Sequence, residues 1–283
     1  MNKKTGIILV ALSGVAFGVM PVFIRGAYAA GASVYTTLFL RFAIASVVIF
    51  PLIFALRLPM PSKKEIVAFL LLGGIFYVAQ SLFYYLALTY TTASVVALLL
   101  YTYPALVVAL SVLVLKEQIT SLKLAALALA LGGAFVVSMG ELDANLIGAG
   151  LALMSALSYT VYIILNSRAV KEGQGIQATA FIILGAAIVF GLAIPFVGFQ
   201  PPSGAEGWAS IVAIALVSTV FAFWAFLTGL EKVGASTTAI VSTLEPVVAV
   251  LCSVLFLSEP LTINIVVGGL LVLAALLVST RFR

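Results

Sequence analysis

The sequence predicts an all-α integral membrane protein of ten transmembrane helices, built as two inverted five-helix repeats with both termini in the cytoplasm. Three observations predict it. The first is composition: of 283 residues, 64% are hydrophobic and only 8% charged, against roughly 25% charged in a soluble domain. The second is that apolar runs of helix length follow one another along the whole chain. Ten spans of ~20 residues use about 200 positions and leave only short loops. The third is an internal repeat at an offset of 142, under which Leu88/Leu230, Ala93/Ala235, Ser94/Ser236, Ala97/Ala239, Pro104/Pro246, Val108/Val250, Ser111/Ser253, Leu115/Leu257, Glu117/Glu259 and Thr120/Thr262 align without a gap. Gly6/Gly148, Leu9/Leu151 and Ser13/Ser155 pair at the same offset. The chain therefore divides into residues 1–141 and 142–283. Five spans per copy, an odd number, turn the second copy upside down. Such repeats are the architecture of many secondary transporters, with the substrate site near mid-membrane where the copies meet.

The spans run approximately over 5–24, 33–56, 65–88, 93–114, 120–139, 147–167, 176–198, 207–230, 235–256 and 262–280. Turn-forming stretches separate them: LPMPSKKE at 58–65, GELDAN at 140–145, KEGQG at 171–175 and FQPPSGAEG at 199–207. None is long enough to link separate domains. The start of the chain imitates a signal peptide, with Lys3 and Lys4 before an apolar run and AYA at 27–29. Cleavage there would remove the partner of 148–167, so this segment is read as an uncleaved first helix.

Basic residues set the orientation. With the N-terminus in the cytoplasm, Lys3, Lys4, Arg57, Lys63, Lys64, Lys116, Lys123, Arg168, Lys171, Lys232, Arg281 and Arg283 are cytoplasmic; Arg25 lies in an outer loop and Arg41 inside a span. The repeat agrees with this assignment. LKEQIT at the inner end of span four becomes LSEPLT at the outer end of span nine, while the uncharged loop TYTTAS becomes EKVGAS. The same distribution, with no extramembrane domain, excludes a nucleic-acid partner despite the net charge of +5. With no His and one Cys, Cys252, the chain offers no internal disulfide and no His/Cys metal site. It carries no phosphate-binding G-x-x-x-x-G-K-[ST] loop and no sign of a cofactor.

The residues that carry chemistry lie within the spans. Positions 94/236, 97/239, 101/243, 104/246, 108/250 and 111/253 share one helix face, rich in small residues, through which spans four and nine are expected to pack. Pro104 and Pro246 stand mid-span and free the carbonyls of Leu100 and Ser242, giving either a fixed kink or a gating point. Glu245, next to Pro246, is the sharpest signal. A carboxylate in hydrocarbon costs roughly 2.5–3.5 kcal/mol on insertion scales, so such a group usually faces a cavity and works there. It suits pairing with a cationic group of the substrate, or carrying a proton that couples transport to a gradient; a hydrogen bond to its repeat counterpart Tyr103 would be the structural alternative. Arg41 suits a substrate carboxylate, a pair with Glu245, or snorkelling to the interface. Polar and aromatic residues at helical spacing define the cavity: Tyr77, Gln80, Ser81 and Tyr84 in span three, and Ser155, Ser158, Tyr159, Tyr162 and Asn166 in span six. The repeat maps the first of these faces onto Thr219, Ala222, Phe223 and Phe226 in span eight. Thr120 and Thr262 are N-caps for the spans that follow.

Two tandem units, each with A-S-x-x-A, a mid-helix proline and L-x-E-x-x-T, resemble the EamA-type branch of the drug/metabolite transporter superfamily across the whole chain. The anchors are TTASVVALLLYTYPALVVALSVLVLKEQIT and GASTTAIVSTLEPVVAVLCSVLFLSEPLT. Phe17-Gly18 stands where Trp-Gly is usual, and Gly268-Gly269 has Ala126 at the first equivalent position in copy one. The resemblance implies an inner-membrane carrier in which spans one to four and six to nine surround a central cavity, five and ten are peripheral, and the cargo is an amino acid or related small metabolite, often exported. The reading is a secondary transporter and not an enzyme, with a small-molecule substrate, membrane lipid and protons as its partners. A lipid or lipid-linked-sugar translocator of the same fold is the alternative, and would have a site opening sideways into the bilayer.

Overall fold

In hydrocarbon the backbone must close its hydrogen bonds internally, and among the described residues every regular element is a helix. The computed structural model describes residues 3–90, 96, 99–116, 118–138, 146–257 and 263–279. The first copy contains α1 (Lys3–Gly18), α2 (Met20–Ala29), α3 (Val34–Ala55), α4 (Lys63–Leu71), a π-helical segment π1 (Leu72–Tyr77), α5 (Val78–Tyr90), α6 (Tyr103–Leu115) and α7 (Ser121–Ser138). The second contains α8 (Leu146–Ala169), α9 (Gly175–Val197), α10 (Gly204–Ala215), π2 (Leu216–Phe221), α11 (Ala222–Ser242), α12 (Leu244–Leu257) and α13 (Ile263–Ser279).

Six of the described helical segments are long and apolar enough to cross a membrane. One of them, Gly204–Ala249, runs through α10, π2, α11 and the start of α12 and turns at Gly234, whose φ of 79° only glycine adopts without strain. That junction falls where the sequence divides spans eight and nine. Shorter apolar helices cover Tyr103–Leu115, Ser121–Gly133 and Val266–Ala275. Large apolar side chains such as Val47, Leu113, Phe196 and Ile263 point outward, where lipid tails cost them nothing.

The helices exchange partners between the copies. α1 packs on α11 and α12, and α8 packs on α5 and α6. The hydrogen bonds repeat as well: Ser13 Oγ donates to the Ala222 carbonyl (2.8 Å) and Ser155 Oγ to the Gln80 carbonyl (2.9 Å), two bonds related by the 142-residue offset. α3 packs against α9, and α7 against α13, so spans two, seven, five and ten each face their own counterpart. Small residues allow the closest crossings. A Cβ on Gly73 would lie 1.9 Å from the Ile182 carbonyl oxygen, and one on Gly185 2.3 Å from that of Leu70. The expected face between spans four and nine closes in part through a hydrogen bond between Ser111 and Ser236; its counterpart, Ser94 with Ser253, lies outside the described residues.

Each end of the bundle is tied by a different chemistry. At one end, Lys171 pairs with Glu65 (2.8 Å) and Lys232 with Glu231 (3.3 Å) and Glu172 (3.6 Å), while the Gly173 amide donates to Glu231 (3.1 Å). At the other, Ser203 Oγ donates to the Ala30 carbonyl (2.9 Å) and the Gln200 amide to Thr36 Oγ1 (2.9 Å). The charged end is the one the basic-residue distribution assigns to the cytoplasm.

Candidate substrate-binding site

The mid-span prolines do not kink continuous helices; in both copies the helix stops and restarts. α6 begins at Tyr103 and α12 at Leu244, which puts Pro104 and Pro246 in the first turn, where a missing N–H leaves no bond unmade. The preceding turns are alike. The Thr102 amide donates to the Leu99 carbonyl (3.2 Å) and the Thr243 amide to the Ile240 carbonyl (3.3 Å), and each threonine hydroxyl bonds the same carbonyl, at 2.7 and 2.6 Å. A threonine thus closes a tighter turn just ahead of each proline, where the sequence predicts a kink or gating point.

Glu245 therefore occupies the first turn of α12, where a helix dipole favours negative charge. Its repeat counterpart Tyr103 opens α6. Span one reaches Glu245 through two glycines one turn apart: a Cβ on Gly14 would meet the Glu245 amide nitrogen at 3.5 Å, and one on Gly18 its carbonyl at 2.8 Å. The Glu245 side chain is partly exposed, and among the described residues it makes no ion pair. It lies within electrostatic reach of Arg41 and of Tyr77, Tyr84, Tyr101, Tyr103 and Tyr159.

Tyr77, Tyr101, Tyr103 and Tyr159 belong, with Tyr162, to a continuous aromatic cluster. Ring centroids stand 4.8 Å apart for Tyr103–Tyr159, 6.0 Å for Tyr159–Tyr162, 5.2 Å for Tyr77–Tyr162 and 4.6 Å for Tyr77–Phe223. Phe17 and Phe42 join from spans one and two, at 5.7 Å from Phe223 and 5.9 Å from Tyr77, and Phe226 stacks 6.2 Å from Tyr159. Among the described residues the buried Tyr162 hydroxyl has no hydrogen-bond partner, and those of Tyr103 and Ser242 have at most each other. A buried polar group left unbonded costs about 1–3 kcal/mol, which water or a ligand would offset.

Arg41 does not snorkel. It is 1% exposed. Its Nε–H donates to Thr219 Oγ1 (2.7 Å), and one terminal nitrogen donates to the Ser218 carbonyl (3.2 Å) and to Tyr77 Oη (3.4 Å). Thr219 Oγ1 in turn donates a hydrogen bond to the Ile214 carbonyl (2.8 Å), five residues back, the register of a π turn. Arg41 thus bridges π2 to the end of π1. Its position explains why it forms no ion pair with Glu245 among the described residues, contrary to one sequence-based expectation.

The other expected residues divide. Gln80 and Ser81 are engaged locally: Gln80 Nε2 donates to Ser155 Oγ (3.4 Å) and Ser81 Oγ to Gln80 Oε1 (3.3 Å). Tyr84 packs edge-on against Tyr85, at 5.9 Å. Asn166 is buried and bonds its own helix at the Tyr162 carbonyl (2.8 Å), leaving Oδ1 unpartnered. Sequence reasoning missed Tyr85, Tyr101 and the Ser218–Thr219 partners of Arg41; Thr219 was visible only as the repeat equivalent of Tyr77.

The two copies also match one family description separately, the EamA-like transporter family, over residues 4–139 and 146–281. The chain belongs to this family. An uncharacterized transporter of Bacillus subtilis, YcbK, is 30% identical over 281 residues, covering 94% of this chain and 90% of that one. An uncharacterized transporter of Archaeoglobus fulgidus is 28% identical over 277 residues, covering 96% and 95%. A solved crystal structure superposes with a TM-score of 0.82 over 98% of this chain at 18% identity, which shows a shared fold. An EamA-like chain is a multi-span membrane transporter.

Proposed function

We propose that this protein is a secondary active transporter which moves a small polar organic solute, amino-acid-like by family resemblance, outward across the inner membrane. Its two copies, 1–141 and 142–283, are inverted repeats of five spans each, with both termini cytoplasmic. Alternating access rocks one copy against the other around the tyrosine-lined site. The observation that supports this reading most is the matched interruption ahead of Pro104 and Pro246, with Tyr103 and Glu245 in the first turns of the helices that follow. The reciprocal bonds of Ser13 and Ser155 support the repeat assignment, since a chance packing would not reproduce them at one offset. Glu245 is the substrate and proton-coupling residue of this scheme.

Proteoliposomes test it. Wild-type protein should accumulate its solute when a proton gradient is imposed, and Glu245→Gln should lose both accumulation and pH dependence. Unchanged accumulation with an unchanged pH profile in the variant removes the coupling role. The lipid-translocator reading has one observation in its favour: an open, mostly apolar groove of about 370 Å3 between spans three and six, lined by Leu71, Leu72, Phe76 and Leu165 with Arg168 at its end. Scrambling of a fluorescent lipid by reconstituted protein, without solute transport, would select that alternative.

A further inference from the structure

We infer that the charge this transporter recognises is a cation: the substrate presents an ammonium group to Glu245 inside the tyrosine ring and needs no carboxylate. The inference rests on the transporter reading and deepens it.

Two fixed charges lie in the described interior, and they are not equally available. Arg41 is 1% exposed, and its Nε and one terminal nitrogen are committed to Thr219, the Ser218 carbonyl and Tyr77. A substrate carboxylate could reach only the second terminal nitrogen without displacing these bonds. Glu245 is partly exposed and has no ion-pair partner among the described residues. The groups around it also favour positive charge. Tyr77, Tyr101, Tyr103 and Tyr159 lie within electrostatic reach of its carboxylate, and the faces of aromatic rings attract cations. The hydroxyls of Tyr103 and Ser242, which lie close enough to bond one another, supply lone pairs for an ammonium N–H. Tyr103 and Tyr159, 4.8 Å apart and tilted by 64°, form adjoining walls of different orientation. Such walls suit a compact, nearly spherical cation better than a planar anion. Arg41 acts as a positioning residue: it offsets the charge of Glu245 at a distance and holds the two π segments without meeting the substrate.

The test compares compounds that differ by one charged group. Norvaline without its carboxylate is butylammonium, and without its amine it is valerate; tetramethylammonium adds a cation with no N–H. Each is titrated into purified wild-type protein, Glu245→Gln and Glu245→Asp, with thermal stability and calorimetry as readouts, and each is assayed for passage in proteoliposomes. Butylammonium and tetramethylammonium should bind wild type, valerate should not, and norvaline should bind no tighter than butylammonium. Glu245→Gln should weaken cation binding by about tenfold or more, with Glu245→Asp retaining it in part. The unliganded unfolding temperature of each variant separates lost binding from lost fold. If norvaline or valerate binds about tenfold tighter than butylammonium, or if Glu245→Gln keeps cation affinity, the cation assignment is wrong while the transporter reading stands. If no solute of any charge crosses the membrane, the transporter reading itself falls, and the assignment with it.

Discussion

Arg41 and Glu245 illustrate how alike two buried charges look in a sequence and how differently they can be used. Both stand alone in apolar helices, and both invite a ligand role. The helix of Arg41 faces π2, so its Nε and one terminal nitrogen find a carbonyl and two hydroxyls. Glu245 opens a helix beside an aromatic interior and keeps its carboxylate uncommitted. Replacing Arg41 with Met should therefore lower stability, because the Ser218 carbonyl loses a donor at a cost of about 1–3 kcal/mol; the unfolding temperature of purified protein checks this. Arg41→Met should leave solute selectivity unchanged at temperatures where it is folded, whereas Glu245→Gln should keep the fold and lose transport. A reversal of the two phenotypes would assign the roles the other way round. Tyr77, Tyr84, Tyr159 and Tyr162 were singled out by spacing because a polar residue avoids lipid, and Tyr103 only as the repeat counterpart of Glu245. Tyr85 falls off the span-three stripe, and Tyr101 stood out only on the packing face of span four.

At the scale of elements, the two copies share devices that their identities only partly express. π1 and π2 fall in spans three and eight, close to equivalent positions, although LGGIFY and LVSTVF have little in common. A π turn admits an extra residue and is found mostly at functional sites; here each lies where its span crosses the other copy. π1 meets span seven backbone to backbone, and Gly73 and Gly185 leave no room for a methyl group. Gly73→Ala should prevent proper assembly, seen as aggregation or loss of a cooperative melt. Gly132→Ala is its control: nothing lies within 4 Å of the added Cβ, so the change should be neutral or stabilise by up to about 1 kcal/mol through helix propensity. Equal effects of the two would remove the steric account of the crossing. π2 meets span two through Arg41, a polar contact where the other is dry. The residue at the repeat equivalent of Arg41 is Ile183, fully buried, so the copies are alike in path and unlike in the chemistry that seals them.

For the molecule as a whole, alternating access requires the two ends to open in turn. One end is held by Lys171–Glu65 and Lys232–Glu231, the other by Ser203–Ala30 and Gln200–Thr36. Cysteine pairs at 65/171 and at 30/203, in a Cys252→Ser background, should each stop transport when joined by a short reducible cross-linker and release it on reduction. Full transport with both pairs completely joined would exclude rocking of the copies as the mechanism. Labelling of single cysteines at 64 and 203 from the two sides of the membrane should give opposite accessibility, with 64 on the cytoplasmic side.

Periodicity and the 142-residue repeat were enough to determine a membrane bundle of two related halves, its breakers, its polar faces and its family, because hydrocarbon imposes a strict rule on every exposed residue and a duplication writes that rule twice. Only the tertiary structure decided which charge is free. Whether a buried group is satisfied depends on the atoms that distant helices bring to it: Thr219 lies 178 residues from Arg41 and bonds it, while no described side chain does the same for Glu245. Linear spacing carries the direction in which a residue points but not what meets it there.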